Sequence, residues 1–333
     1  MMSKLSCYFM LCCLIASLQI GFVVAEEQSG APEIIEAVKI WEGAPHNAFT
    51  DLIRYKDKWY CTFRESDKHV YGKDGTIRIL VSNDGANWKS AALLEEKGVD
   101  LRDPKISITP DGRLMLLIGG SVYQGKKLVS HQPRVTFSTD GKKWSPIKTV
   151  LPKGKWLWRV TWHKGRAYGV SYDIVKEGWA LKLYSSLDGI KYELVTALEV
   201  PGNPNETTLR FLDDDTMIAL IRRDGKSGNA MIGSSKPPYT QWSFHDCGHR
   251  VGGPDFIVLP GGDMWASGRS YPGGAKTVVA KLSLKTYDPM LTLPSGGDTS
   301  YPGMVWHEGM LWVCYYASHE GRTSIYLAKI KLP

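Results

Sequence analysis

Six short apolar stretches of this 333-residue sequence begin and end on residues able to do chemistry. At the openings stand Asp51 in His46-Asn47-Ala48-Phe49-Thr50-Asp51, Asp103 in Leu101-Arg102-Asp103-Pro104-Lys105, and Arg159 in Trp156-Leu157-Trp158-Arg159. The other three open on Glu206 in Pro204-Asn205-Glu206-Thr207-Thr208, Asp255 in Gly252-Gly253-Pro254-Asp255, and Ser300, with Tyr301 beside it, in Asp298-Thr299-Ser300-Tyr301-Pro302. At the exits stand Arg64-Glu65, Asp173, Arg222-Arg223-Asp224, Arg269 and Tyr315-Tyr316. A carboxylate can pass a proton to a leaving oxygen, and a tyrosine beside a carboxylate can become a nucleophile. Arginines grip carboxylates through paired hydrogen bonds, and Trp156 and Trp158 offer flat faces to a sugar ring. Singly, each residue could equally cap a strand or join an ion pair. Together they suit the cutting or gripping of a carbohydrate.

The elements that must position them are read from a repeat. Runs rich in Val, Ile, Tyr, Trp and Thr alternate with turns of Gly, Asp, Asn and Pro, and no long amphipathic helical stretch interrupts them. One hairpin pattern recurs, with turn centres at Asp57, Gly112, Gly165, Asp215, Gly262 and Gly309, separated by 55, 53, 50, 47 and 47 residues. Six copies at a step of about fifty residues predict one blade of four short strands per copy, hence an all-β, six-bladed propeller occupying 26–333 as a single domain. If each hairpin is the inner pair of its blade, the polar openings and exits share one rim around the central funnel, where a closed ring holds ligands.

A second repeat rides on the first. Ser82-Asn83-Asp84-Gly85-Ala86-Asn87-Trp88 is echoed by Ser138-Thr139-Asp140-Gly141-Lys142-Lys143-Trp144 and, less fully, by Ser186-Leu187-Asp188-Gly189-Ile190-Lys191-Tyr192. The pattern is a turn: Asp caps backbone amides, Gly takes a positive φ, and the aromatic packs underneath.

This repeat resembles the Asp-box of the sialidase (neuraminidase) superfamily, in which the box is structural and lies away from the active site. The resemblance implies a propeller glycoside hydrolase in which Glu206 activates Tyr301 as nucleophile. It further implies that Arg222 or Arg223, with Arg269, binds a substrate carboxylate, and that Asp74, in the loop after the first hairpin, is the acid/base. A Tyr/Phe-Arg-Ile-Pro motif that supplies a further arginine in that family is replaced here by Asn47-Ala48-Phe49-Thr50-Asp51, so Arg64 or Arg159 would have to stand in. The string Arg102-Asp103-Pro104-Lys105 looks instead like the Arg-Asp-Pro motif of five-bladed fructosidases and arabinosidases. That likeness implies a trio of Asp51, Asp103 and Glu206 acting on a neutral sugar. A non-catalytic glycan-binding propeller, keeping the tryptophans and arginines, is the third expectation.

Composition narrows the field. With 43% hydrophobic and 23% charged residues the chain reads as an ordinary folded protein. Its net charge of +7 is spread among acids without a basic run, which leaves no nucleic-acid arm and no polybasic membrane patch. Lys4 followed by the apolar run Cys7 to Ala25 reads as a secretory signal cleaved near Ala25, giving a secreted or periplasmic protein with no membrane segment after cleavage. Cys61, Cys247 and Cys314 then remain, too far apart for a metal knuckle and odd in number, so they read as buried thiols. No metal or cofactor site is expected from spacing.

Overall fold

The computed structural model describes residues 30–175, 178–224 and 228–333. The apolar N-terminal run read as a signal lies outside them. Within them the chain forms six antiparallel sheets of four strands and no helix. No described helix is long and apolar enough to cross a membrane.

Each sheet is one blade, and each predicted hairpin is the inner pair of its blade. Blade 1 runs over 46–94, blade 2 over 100–149, blade 3 over 155–198, blade 4 over 204–246 and blade 5 over 252–292. The innermost strands are His46–Tyr55, Asp100–Ile108, Lys155–His163, Pro204–Phe211, Gly252–Val258 and Thr299–His307, and each packs beside the next around the ring. The hairpin turns come in two kinds. Blades 1, 3 and 6 use two-residue turns with both central residues left-handed, at Lys56-Asp57, Lys164-Gly165 and Glu308-Gly309, the turn whose twist suits a hairpin. Blades 2, 4 and 5 use five-residue loops closed by Thr109, Leu212 and Leu259 bonding to Arg113, Thr216 and Asp263.

The sixth blade is composite. Its three inner strands come from the C-terminal end, and its outer strand is Glu33–Trp41, paired antiparallel to Ser324–Lys331. The ends of the chain thus close the ring by hydrogen bonds, which leaves no open edge between first and last blade.

Six apolar clusters fill the seams between neighbouring blades. Ile77 and Ile79 of blade 1 meet Leu101 and Leu116 of blade 2, for example, and Leu220 of blade 4 meets Phe256 of blade 5. Among the described residues the free cysteines, Cys61, Cys247 and Cys314, are buried. The Ser-x-Asp-Gly turns join third and fourth strands at the periphery. In the first, Asp84 Oδ1 accepts the amides of Ala86 and Asn87, Ser82 Oγ accepts that of Gly85, and the Trp88 indole donates to the Gly85 carbonyl at 2.8 Å. Asp140 and Asp188 repeat the arrangement.

Candidate active site

Every inner strand carries a β-bulge at the same height, where two residues face one on the neighbouring strand. The bulged pairs are Phe49-Thr50, Asp103-Pro104, Trp158-Arg159, Asn205-Glu206, Gly253-Pro254 and Tyr301-Pro302. Three of the leading residues are held left-handed without being glycine: Phe49 at φ 65°, Asp103 at 47° and Tyr301 at 50°. Each costs on the order of 1 kcal/mol of backbone strain. The bulges turn these three side chains toward the funnel, where all three line one pocket of about 240 Å³.

At its centre the Tyr301 hydroxyl donates to Glu206 Oε1 at 2.6 Å. Arg222 Nη1 donates to Glu206 Oε2 at 2.7 Å and to the Tyr301 oxygen at 3.1 Å, and the Gly253 amide donates to Glu206 Oε2 at 3.0 Å. Gly253 has to be glycine here, because its φ is 55° and a Cβ would lie 2.6 Å from the Tyr301 ring. The Arg269 guanidinium lies 5.5 Å from the Tyr301 ring centre and donates to the Thr299 carbonyl and the Tyr316 hydroxyl. Burial, then the Glu206 carboxylate, push the Tyr301 phenol well above its ordinary range, while Arg222 and Arg269 oppose them. Tyr301 therefore rests as a phenol whose hydrogen bond already points at the base that would take its proton.

Across the pocket stands Asp103. Burial pushes its carboxyl up to about 6 and Glu206 adds to that, against the pull of Arg102 and Lys105. One of its oxygens is buried without a hydrogen-bond partner. A carboxyl that titrates near neutrality and faces a nucleophile–base pair can hold a proton for a leaving group. Trp156, Tyr172 and Trp179 form the aromatic wall, with Tyr172 and Trp179 stacked at 5.4 Å.

The other expected site residues lie elsewhere. Asp74 is exposed on the loop after the first hairpin and does not line the pocket. Arg64 is fully buried, with Nε on Asp100 at 2.7 Å. Arg223 points out of the funnel to Asp246 and the Asn229 carbonyl. Trp158 is 1% exposed, packed beneath Tyr301 and under the Lys105 ammonium, so it cannot stack on a ligand. Asp51, Arg159 and Asp255 sit deeper. Arg159 Nη1 bonds both oxygens of Asp51 at 2.9 and 3.0 Å, its Nη2 is 3.4 Å from Asp255, and Arg210 donates to Asp255 at 2.7 Å. These groups line a second cavity, of about 280 Å³, with residues further along the same strands, among them Ile53, Ile108 and Trp162. The trio of Asp51, Asp103 and Glu206 is thereby divided between two cavities. The blade count, six rather than five, also departs from the Arg-Asp-Pro families.

Arg102, His69, Tyr172 and Trp179, which sequence reasoning passed over, line the pocket too. Arg102 lies 4.9 Å from the Phe49 ring and donates to the His69 carbonyl and to Asp100, and His69 comes in from the exposed loop after the first hairpin. Strand parity was the available signal: Arg102 precedes the bulge, and Tyr172 faces the pocket because its neighbour Asp173 faces Lys155 and Lys182. Beside Arg269, the ligand atoms of His46, His69 and Asp298 gather within 4.8 Å of one another, a set able to hold a metal ion.

No protein-family description and no curated protein sequence matches the chain. Solved structures do. A Dyadobacter fermentans protein of unknown function superposes with a TM-score of 0.81 at 18% identity, covering 91% of this chain and 100% of the other. Trypanosoma rangeli sialidase, solved with sialic acid, gives 0.69 at 11% identity over 91% of this chain, which spans 59% of that enzyme. The NanB sialidase of Streptococcus pneumoniae gives 0.65 at 12% identity, over 88% and 70%. The chain thus shares the six-bladed propeller fold of these solved structures.

Proposed function

We propose that the chain is an exo-acting, retaining glycoside hydrolase that removes a terminal carboxylated sugar from a glycan. The observation that carries this reading is the 2.6 Å bond from Tyr301 to Glu206, bridged by Arg222. Glu206 takes the phenol proton as the Tyr301 oxygen forms a bond to the anomeric carbon. The glycosidic bond breaks, and Asp103 gives its proton to the leaving oxygen. A water then attacks the same carbon, passing a proton to Asp103 while Tyr301 leaves and recovers its proton from Glu206. A neutral phenol suits an anomeric carbon that bears a carboxylate, because a carboxylate nucleophile would be repelled by it. Arg102, Arg222 and Arg269 are the cations available to that carboxylate. The N-terminal apolar run supports placing the protein outside the cytoplasm.

Residues 26–333 would be tested against aryl glycosides of sialic acid, its deaminated analogue, arabinofuranose, fructose and common hexoses. Release from the acidic ketosides, abolished in both Glu206→Gln and Tyr301→Phe, is expected. Release from neutral sugars alone would overturn the acidic substrate, and release that survives Tyr301→Phe would overturn the nucleophile. A second reading has its own observation: Arg222 is also held by Asp224 at 3.0 Å and Arg269 by Tyr316, so both cations are already partly spent. Ligand binding without turnover would favour that reading, a glycan-binding propeller.

A further inference from the structure

On the flank of the pocket two imidazoles aim at one oxygen. His46, at the start of blade 1, places Nε2 2.9 Å from Asp298 Oδ2, and His69, on the loop after the first hairpin, places Nδ1 2.7 Å from the same atom. Asp298 lies just before the inner strand of blade 6. Among the described residues neither ring makes another hydrogen bond, and the buried Nδ1 of His46 has no partner. The carboxylate is fixed from behind: its Oδ1 accepts from the Tyr316 hydroxyl at 3.0 Å, and the Asp298 amide donates to Ser318 Oγ at 2.9 Å. The two rings stand edge to face at 5.5 Å, and His69 packs edge-on to Phe49 at 5.1 Å.

We propose that His46, His69 and Asp298 bind one zinc ion, with the fourth coordination position open to the pocket. Two imidazole nitrogens and one carboxylate oxygen are a donor set zinc accepts, and three protein ligands leave a place for water or substrate. Donor atoms on a tetrahedral zinc stand about 3.3 Å apart, given bonds near 2.0 Å. The two nitrogen-to-oxygen separations, 2.9 and 2.7 Å, are shorter than that by about half an ångström, and the His69 side chain, 46% exposed on its loop, can turn to open them. Asp298 is already oriented through its other oxygen by Tyr316, as outer groups orient metal ligands. His69 lines the pocket, so the open position faces whatever enters it. A zinc there would present a Lewis acid to a hydroxyl or carboxylate of the ligand, beside Arg102.

The test is direct metal binding, which does not depend on any hydrolysis. Purified residues 26–333 are stripped with chelator, dialysed against zinc sulfate and assayed for bound metal. One zinc per chain is expected, with His69→Ala and Asp298→Asn each weakening binding at least tenfold. His69 sits on an exposed loop, so its variant should keep the fold, and circular dichroism checks both. Cobalt(II) in place of zinc should give the visible absorption of a four-coordinate site, lost in His69→Ala. Absence of stoichiometric zinc would overturn the proposal and leave the three residues a hydrogen-bonded cluster. Zinc bound equally by wild type and both variants would overturn it too, placing the metal elsewhere.

Discussion

Replacing Asp103 with asparagine should stabilise the protein, and by an amount that grows with pH. Burial raises the Asp103 carboxyl from its ordinary 3.8 to about 6. A group whose folded pKa is raised contributes its stability below the unfolded pKa and loses it as pH rises through the folded one. Relative to a residue that cannot ionise, Asp103 therefore costs about 1 kcal/mol of stability at pH 4.5, where only the unfolded chain is largely ionised, and about 3 kcal/mol at pH 8, at 1.36 kcal/mol per pKa unit. Asparagine keeps the shape, cannot ionise, and is among the residues that best tolerate the φ of 47° found there. Any packing cost of the amide is the same at both pH values, so the difference between them, about 2 kcal/mol, isolates the charge. Urea unfolding of both proteins at pH 4.5 and pH 8 measures it. The same change should reduce turnover of glycosides with poor leaving groups by roughly 10²–10⁴, while wild-type turnover of those substrates falls as pH rises above about 6. An equal stability difference at the two pH values would refute the raised carboxyl and, with it, the choice of Asp103 as acid.

Two further outcomes follow from the same geometry. Arg159→Leu strips Asp51 and Asp255 of their shared cation and should destabilise by about 3–5 kcal/mol at pH 7; a loss below 1 kcal/mol in urea unfolding would show that Arg210 and Lys105 alone suffice. Gly253→Ala sets a methyl against the Tyr301 ring at a left-handed position, and should cost at least about 1 kcal/mol of stability. It should also lower turnover of any cleaved glycoside by displacing the Tyr301 hydroxyl from Glu206, and unchanged kinetics in a folded variant would sink that account.

The ring was legible in the sequence because hairpin chemistry is local. Each turn announces itself through a Gly or Asp within a few residues of the strands it joins, and six such signals at one step leave a single architecture. The same alignment put Glu206 on the rim, and Ser300 with Tyr301 beside it, while the pairing of Glu206 with Tyr301 came from the resemblance to the sialidases. The composite sixth blade was not legible: Glu33–Trp41 pairs with Ser324–Lys331 from the far end of the chain, and nothing in either strand names the other. The sorting of the arginines failed for the same reason. Arg64, Arg159 and Arg223 looked as available as Arg222 and Arg269, and only the folded chain brings Asp100, Asp51 and Asp246 to them. The bulges were hidden as well. They are also not alike: Asp103 leads its bulge in the left-handed region, whereas Trp158, leading the equivalent bulge, does not and lies under the floor.

The ion pairs of Arg159 with Asp51 and Asp255, together with Trp158, cork the axis of the ring. What looks from its topology like a tube is a cup. Whatever enters the mouth must leave by it, so traffic is ordered as in a cul-de-sac: the part lodged deepest departs last. For a chain-like ligand only the tip fits, and the remainder stays outside, free to diffuse off while the tip is still held. A threading mode, in which a polymer is fed through and cut at internal positions, would require the Arg159 ion pairs to open.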